Sequence, residues 1–176
     1  LFILPAAALN AENHKVLFNH LDGIGDDYGP GNYYYPQNHI FQNKGNLFDL
    51  KAMTIFESEN EYKFRFSFSN LTDPWGAKYG FSLPLIEVYI DNQAGGSNQL
   101  FHSGANVSLG NDFYWDKFLK ISGWWVRFFN PESKKENLLN INDISLSDPD
   151  SNGNINLSKE ENDIFLRLPK TELGSL

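Results

Sequence analysis

"EYKFRFSFSN", residues 61–70, decides the fold. Tyr62, Phe64, Phe66 and Phe68 alternate with Lys63, Arg65, Ser67 and Ser69. A repeat of two places the four rings on one face of a strand and the polar residues on the other. Working outward, "LFDLKAMTIFE" (47–57) before it and "FSLPLIEVYID" (81–91) after it read as further strands. "HKVLFNHL" (14–21) reads as a first strand, and "NINDISL" (140–146) and "NDIFLRL" (162–168) as late ones. "FLKISGWWVRFF" (118–129) reads as one strand interrupted at Gly123, where a bulge is expected. Between these runs lie "NLTDPWGAKYG" (70–80) and "NQAGGSN" (92–98), which are turn chemistry. Helical periodicity is weak throughout, and no repeat or linker divides the chain. Strands joined by Gly, Asn, Asp and Pro loops predict an all-β, antiparallel sandwich.

The composition fits that architecture and excludes several functions. At 176 residues the chain suffices for one domain with a core, and 41% hydrophobic against 20% charged residues mark it as globular. Aromatic residues reach 15%, which suits strands and, where exposed, flat stackable ligands. A net charge of -8 argues against a nucleic-acid partner, whose phosphates need a basic surface. The absence of cysteine excludes thiolate metal sites, a thiol nucleophile and disulfides. "LFILPAAALNAEN" (1–13) is apolar, then small, then polar, with Ala6 and Ala8 at the spacing of a cleavage site. Residues 1–11 are therefore expected to be a signal-peptide remnant, or else a first apolar segment, and 12–176 a single domain. No run reaches the roughly 18 apolar residues of a membrane helix. After "FLRLPKTELGSL" (165–176) the strand spacing suggests further strands, so the domain is expected to be truncated at its C-terminus.

The candidate chemistry begins with "LDGIGDDYGPGNYYYP" (21–36). Asp22, Asp26 and Asp27 stand among four glycines, ahead of Tyr33, Tyr34 and Tyr35. Carboxylates and main-chain carbonyls in a tight loop suit calcium, which takes six to eight oxygens. The same loop could equally cap its own backbone N–H groups. "DPDSNGNINLSKEE" (148–161) imitates the start of an EF-hand loop, but Lys159 stands where the closing Glu belongs. A polar hairpin tip is the stronger reading there. His14, His20, His39 and His102 lack zinc-site spacing, and there is no GxSxG elbow or Walker-type phosphate loop. Sequons occur at Asn70, Asn106 and Asn156. The tryptophans are Trp75, Trp115, Trp124 and Trp125. Each could be core, or could stack on the C–H face of a sugar ring. If "SGWWV" were a strand, Trp124 and Trp125 would face opposite ways, one buried and one exposed.

"GDDYGPGNYYYP", "LFDL", "FSFSNLTDPWGAKYGFSLPLIEVYID", "SGW" and "LPKTELG", in that order, resemble the C-terminal domain of glucodextranase across about Phe18 to Gly174. That family looks like part of the wider DOMON group, related to family 9 carbohydrate-binding modules. The resemblance implies an exported, non-catalytic β-sandwich that binds carbohydrate, with its acidic loop ordered. Asp22, Asp26 and Asp27 match the family's acidic block, Asp91 ends its "VYID" strand, and Trp75 and Trp124 match its aromatic positions.

The expectation is a module of a secreted, periplasmic or cell-surface protein that binds polysaccharide, α-glucan first, in the service of a catalytic domain elsewhere. Trp75, Trp115, Trp124 and Trp125 would hold the sugar, and Asp22, Asp26, Asp27 and Asp91 a calcium ion. The alternative is a structural or interaction domain of a cell-surface layer. A haem role, as in some DOMON domains, would need His102 or Met53 as axial ligand. An enzyme would need two convergent carboxylates, and no such pair stands out.

Overall fold

The computed structural model describes residues 14–28, 34, 36–42, 44–102, 107–131 and 156–176. The apolar start at 1–11, Tyr33 and Tyr35, the Asn106 sequon, the strand expected at 140–146 and the Asp148–Gly153 stretch lie outside them.

Among the described residues, eight strands form two antiparallel sheets. The first contains β1 (Lys15–Leu21), β2 (Leu50–Glu57), β3 (Glu61–Phe68), β7 (Asn156–Glu160) and β8 (Asp163–Pro169), in the order β1-β2-β3-β8-β7. The second contains β4 (Ile86–Ile90), β5 (Lys117–Ile121) and β6 (Val126–Phe129) in sequential order. One helical turn, α1 (Lys170–Leu173), follows β8.

The alternation in β3 organises the core. Tyr62, Phe64, Phe66 and Phe68 are all buried. Burying each such side chain stabilises the fold by about 1.5–3 kcal/mol over leaving it in water. Their cross-strand partners continue the same face, since Tyr62 pairs with Leu168, Phe64 with Leu166 and Phe66 with Ile164. Leu119, Ile121, Val126 and Phe128 of the second sheet join these residues in one cluster, which makes the two sheets a sandwich.

Two expected elements differ from the structure. Residues 118–129 are not one bulged strand but a hairpin, β5 and β6, turning at Ser122–Trp125. The Ser122 hydroxyl oxygen accepts the N–H groups of Trp124 and Trp125, and Ser122 N–H donates to the Trp125 carbonyl at 2.9 Å. The expected polar tip at 148–161 ends in a strand instead. Leu157 is buried, so Asn156–Glu160 pairs with β8, and the chain turns at Glu161 and Asn162, with Glu161 at φ 52°.

The registers give the sandwich two distinct ends. Ile86, Ile121 and Val126 align at one end of the second sheet, and Ile90 and Lys117 at the other. The first end carries the β5–β6 turn and follows, through residues 69–85, from the last residue of β3. The second carries the loop after β4 and is tied to the C-terminal segment: Lys117 Nζ donates to Glu172 O at 2.7 Å, and Asn92 Nδ2 to Leu173 O at 2.8 Å.

Candidate functional site

At the first end, two loops abut. A Cβ on Gly123 would overlap the Phe81 carbonyl oxygen and press on the Ala77 methyl, so only glycine lets the β5–β6 turn lie flat on residues 77–81. Tyr79 N–H donates to Gly123 O at 2.8 Å and joins the two. The partner loop is itself fixed. Asp73 Oδ1 accepts Ala77 N–H at 2.9 Å, and the Ser82 hydroxyl accepts Trp75 N–H at 3.3 Å. Each loop holds one tryptophan out to solvent: Trp75 is 54% exposed and Trp124 43%. Trp125 lies half-buried beneath the Arg127 guanidinium, 4.4 Å from its ring centroid. Trp75, Trp124 and Trp125 are thus gathered at one end on rigidly held backbone. Because the pair sits in a turn, strand alternation does not separate Trp124 from Trp125.

Trp115 is a correction. It is 0% exposed and offers no face to a sugar. Its indole N–H donates to Gln99 O at 2.8 Å, and its ring meets Tyr89 edge-on at 5.7 Å. With Phe101, Phe118 and Phe129 it forms a second apolar cluster, beneath the long loop between β4 and β5. His102 sits on that cluster's rim with Lys120 Nζ 2.7 Å from Nε2, whereas Met53 packs against the main core. The two do not share a site.

The acidic loop is ordered from below by a residue that the sequence reading passed over. Asp49 is 1% exposed. Its two carboxylate oxygens accept Gly25 N–H at 3.1 and 3.0 Å, and Oδ2 also accepts the Ser69 hydroxyl. Gly25 stands at φ 81°, a conformation that favours glycine. The loop's own carboxylates serve the backbone: Asp22 Oδ1 accepts Gly23 N–H at 3.0 Å, and Asp27 Oδ2 accepts Phe48 N–H at 3.3 Å. Asp26 lies over Gly23, where a Cβ would come within 2.5 Å of Oδ2. Asp91 follows β4 at the opposite end and accepts Tyr114 N–H at 2.9 Å. Among the described residues no three acidic or histidine side chains converge as metal ligands. Asp91, held by Tyr114 at the opposite end, therefore does not join Asp22, Asp26 and Asp27 in one site.

Asp49 was within "LFDL", whose aspartate between apolar residues is the signal for a buried acceptor. Gly123 was visible only as an interruption, since its partner Phe81 is distant in sequence.

The domain is thus a two-layer antiparallel sandwich with exposed aromatic residues on its loops. The match to a family model covers residues 17–176, and the chain belongs to that family, the SLH-like C-terminal binding module of glucodextranase. No curated protein matches the chain.

Proposed function

We propose that this domain is a non-catalytic carbohydrate-binding module of an extracellular or cell-surface protein, with α-glucan as its first ligand. The observation that carries this is the pair of exposed tryptophans, Trp75 and Trp124, on loops that Gly123 locks together. Indole faces match the C–H face of a pyranose, and prior rigidity lowers the ordering cost of binding. Membership of a family described as a binding module of an enzyme supports the reading, with a catalytic domain as its partner. The order of the acidic loop is assigned to Asp49 rather than to calcium.

The test is native electrophoresis through gels containing amylopectin, dextran or xylan. Retardation in an α-glucan gel should be weakened in Trp75→Ala and Trp124→Ala. Unchanged mobility in all gels would reject the assignment.

The other reading, an interaction domain of a cell-surface layer, is favoured by β1. This strand is an edge of the first sheet among the described residues, and Val16, Phe18 and Leu21 are exposed along it. An unpaired apolar edge can accept another chain. Self-association that is abolished by Phe18→Lys, in a domain silent in every glycan gel, would favour it.

A further inference from the structure

At the second end of the sandwich a cleft of about 730 Å³ opens between the loop after β4 and the start of β5. It lies within the size range of pockets that hold drug-sized ligands. Its walls include Gln93, Asn98, Gln99, Tyr114, Asp116 and Lys117.

The two charges are already committed. Asp116 Oδ2 accepts the N–H groups of Asn92 and Gln93 at 2.9 and 2.8 Å, and Lys117 Nζ is bonded to the Glu172 carbonyl. Among the described lining residues, both charged side chains are thus engaged in holding the loop and the C-terminal segment. Gln93, Asn98 and Gln99 are exposed on this loop, and each carboxamide offers two N–H donors and an acceptor oxygen. Tyr114, 42% exposed, supplies an aromatic wall. Amide donors and acceptors beside one ring are the groups that fix vicinal hydroxyls and stack a sugar's C–H face.

The cleft is also built rather than incidental. Ser97 and Trp115 exchange two backbone hydrogen bonds, each 3.0 Å. Gly96, at φ 85°, lies so close to the Tyr114 and Trp115 carbonyls that a Cβ would meet them at 2.5 and 2.7 Å. The indole of Trp115 holds the Gln99 carbonyl from beneath. The loop carrying the carboxamides therefore has little freedom to lose on binding.

We infer that this cleft is a second carbohydrate site, for a short neutral oligosaccharide, at the end opposite Trp75 and Trp124. The five residues of β5 separate the two ends, roughly 15 Å at the strand rise, so one module would grip a polysaccharide at two places. The inference takes its ligand class from the cleft's own chemistry and stands apart from the tryptophan end.

The experiment is an amide-resonance titration of the full chain with maltotriose, cellotriose and xylotriose, read beside tryptophan fluorescence. The variants are the double substitution Asn98→Ala/Gln99→Ala, Tyr114→Ala, and Trp75→Ala/Trp124→Ala. Saturable shifts at Gln93, Asn98 and Gln99 should survive the tryptophan substitutions. Either cleft variant should weaken them at least tenfold without changing the melting temperature. Shifts confined to the tryptophan end would overturn the second site and leave the first. Cleft shifts without any tryptophan response would uphold it and reject the first. No shift with any glycan, or shifts with peptides alone, would overturn it.

Discussion

Asp49 and Gly25 face each other across the base of the acidic loop, with both oxygens of one carboxylate turned to a single backbone N–H at 3.1 and 3.0 Å. The carboxylate is buried, so it is stabilising only while those donors remain.

Asp49→Ala should destabilise the domain by about 2–4 kcal/mol, because it leaves the Gly25 N–H and the Ser69 hydroxyl without their acceptor. Urea denaturation measures this, run once with calcium and once with chelator. The loss should be the same in both. A loss seen only with calcium would assign the loop's order to the metal.

Gly123→Ala should cost about 1–3 kcal/mol through overpacking against Phe81 and Ala77. It should also weaken glycan retardation, since parting the loops separates the two tryptophans. A variant as stable as the parent in chemical denaturation would show that the turn does not need this close approach.

Trp115 and Trp124 should behave oppositely. Trp115→Ala removes a fully buried ring and should lose about 3–5 kcal/mol. Trp124→Ala should change stability by less than about 1 kcal/mol, as surface substitutions do, yet weaken retardation in the glycan gel. Acrylamide quenching offers an independent check: emission lost on removing Trp124 should come from a quenchable population. Protection of Trp124 from acrylamide would contradict its placement.

Burial raises the Tyr89 phenol above its ordinary value of 10.0, and the neighbouring Glu87 carboxylate adds to the rise. A proton held more tightly in the folded state gives stability that is complete below pH 10 and is lost as pH climbs through the raised value. Tyr89→Phe should therefore flatten the alkaline limb of the stability curve. If both proteins lost stability in parallel above pH 10, Tyr89 would not be the group responsible.

What could be read from the sequence depended on whether the deciding contact was local. The face of β3 was plain because Tyr62, Phe64, Phe66 and Phe68 alternate without a break. β8 was legible for the same reason, and the sandwich followed. The β5–β6 turn was not, because Gly123 answers to the carbonyl of Phe81, in a loop far from it in sequence. Trp75 was legible as an aromatic turn residue behind Pro74, whereas Trp124 read as part of a strand, and nothing local separated either from Trp115. That distinction arises only when the loop after β4 folds over Phe101, Phe118 and Phe129. The carboxamides of Gln93 and Asn98 read as ordinary turn chemistry, and only the fold sets them with Gln99 along one cleft.

The placement of β8 between β3 and β7 also bears on the order in which the chain can mature. Residues 15–68 can form a three-stranded meander as soon as they are synthesised. Its β3 margin then waits, with Phe64, Phe66 and Phe68 uncovered, until Asp163–Pro169 has been made and slots alongside. Between the synthesis of Phe68 and that of Asp163 the nascent chain would therefore carry an open sheet margin, and this interval is when a chaperone would be needed.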